Sequence, residues 1–247
     1  MILLADIGNS RIKWVPANAG RLGDPGVEPY EDHTLGELFE ARWRQMAPPE
    51  AVVYCCVGAS VAGSVLEDWT REVWGVEVTR VRSEASAHGV RCAYEKPQSL
   101  GADRWAALVG AWHKHHRAAC IVDCGTAITL DALSETGSHL GGVILPGVEL
   151  MRYALSACTD GIPPEVSEAA GVFATSTPAG MGAGTLYAAA AGVDRIAAEM
   201  RSSLPANSLA ILTGGDAARL HPFFRTEFVR DPDLVLYGLA VIAGVFA

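Results

Sequence analysis

An α/β fold built as two similar halves is what this sequence predicts, and three observations carry the prediction. Apolar runs of strand length alternate along the chain with segments of helical period. A strand ending in Asp-x-Gly-polar occurs twice, as Asp6-Ile7-Gly8-Asn9 and as Asp123-Cys124-Gly125-Thr126, the second copy 117 positions after the first. No Pro- or Ser-rich linker divides the copies, so the halves are expected to pack with a cleft between them.

The elements follow in order. "MILLADIGN" and "SRIKWVPA" are apolar runs joined by Gly8-Asn9, a hairpin signal. "GELFEARWRQM" has the spacing of an amphipathic helix, "EAVVYCCVGAS" reads as a buried strand ending in a turn, and "GSVLEDWTREVWG" as a second helix. The strand "VEVTRVR" leads into an irregular stretch, 83–99, that contains Tyr94 and Pro97. A long helix, "GADRWAALVGAWHKHHR", closes the first half; Trp105, Leu108 and Trp112 share one stripe of it and read as core or interface. "AACIVDCGTAITLDAL" repeats the opening hairpin. Mixed strand and helix follow in "HLGGVILPGVELMRYALS", then a Pro-, Ser- and Thr-rich loop over 159–178. The helix "GTLYAAAAGVDRIAAEMRSS", the strand "SLAILTGGDA" and a last helix from about residue 234 complete the set.

Composition excludes several classes. Half of the 247 residues are hydrophobic and 19% are charged, enough apolar surface for a real core and unlike a disordered or collagenous chain. The net charge of −9 opposes a generic phosphate-backbone binder, and no local basic patch is visible, so no nucleic-acid partner is expected. The six cysteines include an adjacent pair and no C-x-x-C; they do not resemble a disulfide framework, and a reduced, cytoplasmic protein is expected. Cys120 and Cys124 bracket a buried strand and read as small hydrophobes. The opening residues have no basic n-region and meet Asp6 after five positions, which reads as a strand and not as a signal peptide. The longest apolar stretch, "LVLYGLAVIAGVFA", falls short of the roughly 20 residues a spanning helix needs, so no membrane partner is expected.

Neither common phosphate fingerprint is present: G-x-x-x-x-G-K-[ST] is missing, and Gly180, Gly182 and Gly184 lack the strand that precedes a dinucleotide loop. The recurring Asp-x-Gly-x-polar turn has the right chemistry by another route. Glycine lets backbone approach a phosphate, amide and hydroxyl donors hold its oxygens, and the carboxylate holds a cation or its water shell. Each copy alone reads equally as a type I′ hairpin turn with a capping Asp. "TGGDA", 213–217, adds bare backbone at a strand end, where a purine can lie, or else a strand-to-helix turn capped by Asp216. In "HKHHR", His113 and His116 lie at a helix end, where cationic side chains favour the dipole, and they are read as structural.

In this order the three motifs resemble the superfamily of acetate and sugar kinases, heat-shock chaperones and actin. The resemblance implies two duplicated ribonuclease H-like (actin-like ATPase) domains, here 1–117 and 118–247, with the nucleotide cleft between them. Six blocks, "DIGNSRIKW", "GADRWAALVGAW", "DCGTAITLD", "GGVILPG", "TGGDA" and "DPDLVLYGL", look like the successive signatures of type III pantothenate kinases and span nearly the whole chain. That family transfers the ATP γ-phosphoryl group to the primary hydroxyl of pantothenate, giving 4′-phosphopantothenate for coenzyme A biosynthesis.

The resemblance also implies site residues. Asp6, Ile7, Gly8, Asn9, Ser10, Arg11, Ile12 and Lys13 form the ATP-phosphate hairpin, with Asp6 near the metal-nucleotide. Asp103 is the general base, within a substrate segment of Gly101, Ala102, Asp103 and Arg104. Tyr94 and Thr177 are further pantothenate contacts, although Ser176 and Pro178 depart from the family pattern around Thr177. Asp123 holds a monovalent cation, potassium or ammonium; Thr126 contacts ATP phosphate; Gly214 and Gly215 approach the adenine. Mg2+ accompanies ATP, and a homodimer is expected. The competing readings are a non-catalytic, transcription-accessory member of the same family and a kinase of the superfamily acting on another small acceptor. The first is opposed by intact Asp6, Asp103 and Asp123.

Overall fold

The structure is a computed structural model that describes residues 1–31, 34–57, 61–167 and 171–246. The turn expected at 58–60 lies outside the described residues, as does part of the 159–178 loop. The chain divides into two compact units. The first comprises Met1–His116, Gly137–His139 and the segment from Asp233 onward; the second comprises Arg117–Thr136 and Leu140–Pro232.

The first unit runs β1 (Ile2–Ile7), β2 (Arg11–Asn18), β3 (Arg21–Leu22), β4 (Gly26–Pro29), α1 (Leu35–Arg42), β5 (Ala51–Cys56), α2 (Val61–Val73), β6 (Glu77–Arg80), β7 (Ser86–Ala87), β8 (Val90–Arg91) and α3 (Ala102–His115). Its main sheet has the order β3-β2-β1-β5-β6, with β4 also on β2. β1 is antiparallel to β2 and parallel to β5. β1 and β5 read as near-continuous apolar runs because both of their faces are covered. Leu3, Ala5, Ile7, Val52 and Tyr54 pack on one face against Phe39, Trp43, Leu66 and Trp69 of the α1–α2 side. Alternation therefore turns Leu4, Asp6, Val53 and Cys55 to the other face. The stretch expected to be irregular, 83–99, contains the β7–β8 hairpin and a 3₁₀ turn at Pro97–Ser99.

The second unit runs β9 (Ala119–Cys124), β10 (Ala127–Leu133), β11 (His139–Pro146, all but its first residue), α4 (Val148–Cys158), α5 (Thr177–Ser202), β12 (Leu209–Thr213), α6 (Ala217–Leu220) and β13 (Val229–Arg230). Its sheet order, β11-β10-β9-β12-β13, reproduces that of the first unit. The repetition extends to register: Asp6 pairs with Cys55 of the parallel neighbour β5, and Asp123 pairs with Thr213 of the parallel neighbour β12. Cys120, Val122, Cys124, Ile128 and Leu130 form a core with Leu186, Ala189, Val193 and Ala197 of α5.

Two differences from the sequence reading have physical causes. α5 begins at Thr177, seven residues before the expected start, and takes Gly180, Gly182 and Gly184 into its first turns. Ser176 caps it, accepting from the Ala179 amide at 3.4 Å, Pro178 suits its opening, and Gly182 lies against the Ser167 carbonyl, where a side chain would collide. The last helix, α7 (Leu234–Ile242), was expected in the half spanning 118–247 but belongs to the first unit, packed on α3. Gly110 and Gly238 sit where these helices cross, and a methyl group at Gly238 would fall on the Ala106 carbonyl.

Candidate active site

In the first unit, the β1–β2 hairpin, the end of β5 and the start of α3 meet around two carboxylates. Gly8 donates its amide to the Arg11 carbonyl at 3.0 Å, closing the hairpin. Gly8 is absent from the positive-φ glycines, and so is Gly125, so neither turn is of type I′. Tyr30 braces the hairpin by donating its hydroxyl to the Gly8 carbonyl at 2.5 Å. Asn9, Ser10 and Arg11 form an exposed tip. Ile7 and Ile12 are buried in the core, so only their backbone is available to a ligand. Lys13 pairs with Asp6 across the strands, on the same face.

Asp6 is half-buried, and burial first, then repulsion from Asp103, pushes its pKa up to about 6. The Cys55 thiol, which donates to Asp6 Oδ1 at 3.2 Å, and the Lys13 charge act in the opposite direction. A carboxylic acid with a raised folded-state pKa costs no stability below its ordinary value of about 4, and costs progressively more as pH rises through about 6. Asp6→Asn is accordingly expected to be more stable than the wild type at about pH 8, on the order of 1–2 kcal/mol, with the difference vanishing near pH 4. Urea unfolding of both proteins at the two pH values checks this.

Asp103 stands in the first turn of α3, where the helix dipole favours a carboxylate, and its Oδ1 accepts from the Arg104 amide at 2.7 Å. Gly101 precedes the helix, and a Cβ there would lie 2.5 Å from Asp103 Oδ1, so the carboxylate occupies space that only glycine leaves open. Ser83, buried, fixes this entry by donating to the Leu100 carbonyl at 2.8 Å. Ala102 opens the helix. The Arg104 side chain is buried, donates to the Tyr94 hydroxyl at 3.1 Å and lies 5.8 Å from the Tyr94 ring centroid. The buried His139 also stacks on Tyr94, with ring centroids 5.9 Å apart and 22° between planes.

In the second unit, three loops converge at the ends of β9 and β12. Gly125 donates to the Ala127 carbonyl at 3.2 Å, and Gly147, at the head of α4, donates to the Thr126 carbonyl at 3.0 Å. Gly214, at φ 98°, lies against the Asp123 carboxylate and the Cys124 backbone, leaving no room for a side chain. Gly215 is exposed, and the Asp216 amide donates to the Cys124 carbonyl at 2.9 Å, joining the Gly-Gly turn to the Asp123 strand. Thr177 is the exposed first residue of α5 in this unit, whereas Tyr94, Asp103 and Arg104 belong to the first.

The structure thus gathers Asp6, Lys13, Asp103, Arg104 and Tyr94 in the first unit, and Asp123, Thr126, Gly214 and Gly215 in the second. Sequence reasoning missed Cys55, Tyr30, Ser83, His139 and Gly147. Cys55 lies 49 positions from Asp6 and meets it only through strand register; for Gly147, the Pro146-Gly147 pair after an apolar strand was a usable signal. His113, read as structural, places Nδ1 2.9 Å from the Tyr237 hydroxyl.

Residues 2–199 match the family model described as type III pantothenate kinase. A type III pantothenate kinase of Nitrosococcus oceani is 38% identical, over 98% of this chain and 94% of that protein. Its counterpart in Alkalilimnicola ehrlichii is 37% identical, over 98% and 97%. Among solved structures, a conserved Campylobacter jejuni protein assigned provisionally to the Baf family of transcriptional activators aligns with a TM-score of 0.59 at 21% identity, covering 98% of this chain and 97% of that one. The activator of 2-hydroxyisocaproyl-CoA dehydratase from Clostridium difficile, solved with bound ADPNP, aligns at 0.54 with 14% identity, covering 98% and 93%. The structural likenesses place the fold among the duplicated actin-like ATPases. By its family match and by near full-length identity to these relatives, the chain belongs to the type III pantothenate kinase family.

Proposed function

We propose that this chain is an ATP-dependent kinase that transfers the γ-phosphoryl group to the primary hydroxyl of pantothenate, giving 4′-phosphopantothenate for coenzyme A biosynthesis. The observation that carries the reading, beside family membership, is the placement of Asp103 at the head of α3 beside Asp6 and the Arg104–Tyr94 pair. Phosphoryl transfer passes through a loose transition state, which leaves the protein to orient the nucleophile and stabilise charge. Asp103 accepts the hydroxyl hydrogen bond, aims the oxygen and takes its proton as the P–O bond forms. Arg104 and Tyr94 offer a buried cation and an aromatic face to the small anionic substrate. The hairpin from Asp6 to Lys13 and the turn at Thr126 bind phosphates, and Lys13 offsets charge on the transferring group. Gly214 and Gly215 offer bare backbone to the adenine. Thr177, the exposed first residue of α5, is a further pantothenate contact by resemblance to the family.

Mg2+ enters with ATP. A monovalent cation, potassium or ammonium, fits Asp123, because a carboxylate beside the bare Gly214 backbone is the hard oxygen chemistry such an ion takes. When bound, it offsets polyphosphate charge. A homodimer is supported by apolar surface on one part of the second unit: Leu140, Val143 and Ile144 of the edge strand β11 and Leu150 and Tyr153 of α4 are exposed, Ile144 by 64% and Tyr153 by 70%. A reducing cytoplasm fits six cysteines that remain thiols. Among the described residues no helix is long and apolar enough to cross a membrane.

The test is turnover. With Mg-ATP, pantothenate and potassium or ammonium, the protein is expected to form ADP and 4′-phosphopantothenate in equal amounts, with less product when sodium is the sole monovalent ion. No product under any of the three ions would overturn the reading.

A further inference from the structure

We propose that the Cys55 thiol is a positioning group of the phosphate-binding hairpin: by donating its proton to Oδ1 of Asp6 it fixes that carboxylate and leaves Oδ2 for the cation-bound nucleotide. The inference rests on the kinase reading for what Asp6 binds, although the contact itself does not depend on that reading. The thiol is the sole side-chain hydrogen-bond donor to Asp6 among the described residues, at 3.2 Å, close for a sulfur donor. The parallel register of β1 and β5 sets the two residues side by side on one face, and Cys55 is 0% exposed, so it has no solvent alternative.

The choice of a thiol follows from its surroundings. Burial and the carboxylates of Asp6 and Asp103 hold the Cys55 pKa well above the usual thiol range, so the sulfur keeps its proton and acts as a donor. An ammonium or guanidinium at this position would neutralise Asp6 and compete with the incoming cation, whereas a neutral donor orients the carboxylate and leaves its charge available. Asp6 repels Asp103, and without a fixed rotamer the carboxylate would swing away from its neighbour and from the hairpin that binds phosphate.

Cys55→Ala removes the donor and Cys55→Ser keeps it. Steady-state kinetics, calorimetric binding of Mg-ATP and thermal midpoints of both variants test the proposal. Cys55→Ala is expected to raise the KM and Kd for Mg-ATP about five- to twentyfold, with the KM for pantothenate unchanged within about twofold, and Cys55→Ser to restore ATP values to within about threefold of the wild type. Wild-type ATP parameters in Cys55→Ala, or a parallel rise of both KM values with a lowered midpoint, would overturn the proposal. Because calorimetry needs no turnover, a wild-type protein that bound Mg-ATP but failed to phosphorylate pantothenate would sink the kinase reading and leave this inference to be decided by binding. Should Cys55→Ala not fold, the S–H stretch seen in wild-type-minus-Cys55→Ser infrared spectra decides it. That band is expected to move to higher frequency in Asp6→Ala, and an unmoved band would show that the thiol does not donate to Asp6.

Discussion

Asp103→Asn is expected to lower the kcat for pantothenate phosphorylation roughly a thousandfold, while the Kd for Mg-ATP moves by less than about threefold. The amide keeps the size of the side chain and can still accept the Arg104 amide, so the entry to α3 survives. What it loses is the capacity to take a proton, and rate falls without a matching loss of nucleotide affinity. A second consequence separates this effect from unfolding. Repulsion from Asp103 is one of the causes that raise the Asp6 pKa, so its removal brings that pKa down from about 6, and the variant is expected to unfold at a slightly higher temperature than the wild type at neutral pH. Single-turnover kinetics, calorimetry and a thermal scan read the three quantities. A kcat within tenfold of the wild type would remove Asp103 from the role of base.

Gly238→Ala is expected to have the largest effect on stability, a loss of at least about 3 kcal/mol and a fall in Tm of roughly 6–12 °C. A methyl group at this position meets the Ala106 carbonyl and the backbone around it, not a flexible side chain that can turn aside. On the facing helix, a methyl group at Gly110 would come within 2.7 Å of the Leu234 carbonyl, so neither helix has room to yield. The damage reaches the proposed site because Ala106 stands within about one turn of Asp103 and Arg104 on α3. Gly184→Ala is the contrast: that glycine lies within α5 with open space where its Cβ would stand, and alanine there is expected to add about 0.5–1 kcal/mol by helix propensity. Chemical denaturation of the two variants checks both signs. Equal stabilities would show that the α3–α7 crossing is not tightly packed.

What was legible in the sequence was local. The two Asp-x-Gly turns and their apolar strands marked β1, β2, β9 and β10, and their echo suggested two similar halves, in which the structure repeats one sheet order and strand register. Helical period gave α1, α2 and α3 to within a few residues. The failures were cases where distant packing decided. Gly180, Gly182 and Gly184 oppose a helix by propensity, yet a capped N-terminus and the Ser167 carbonyl against Gly182 make the segment the start of α5. Nothing near residue 238 says that its partner is residue 106, so α7 was placed with the wrong half. Among the proposed site residues of the two units, Asp6, Asp103 and Asp123 stood out because they lie in motifs. Cys55 and His139 did not, since each contacts a proposed site residue that is remote in sequence.

The return of α7 to the first unit also bears on the order in which the protein is made. Within the second unit, the chain from Arg117 to Pro232 departs only at Gly137–His139, so every residue of that unit has been synthesised before α7 exists. The first unit is discontinuous, and the α7 face of α3, with Gly110 at its centre, stays uncovered until the residues after Asp233 leave the ribosome. The unit translated first is therefore the one finished last. A nascent chain that ends just short of Asp233 holds every residue of the second unit, while the first still lacks the helix that packs on α3.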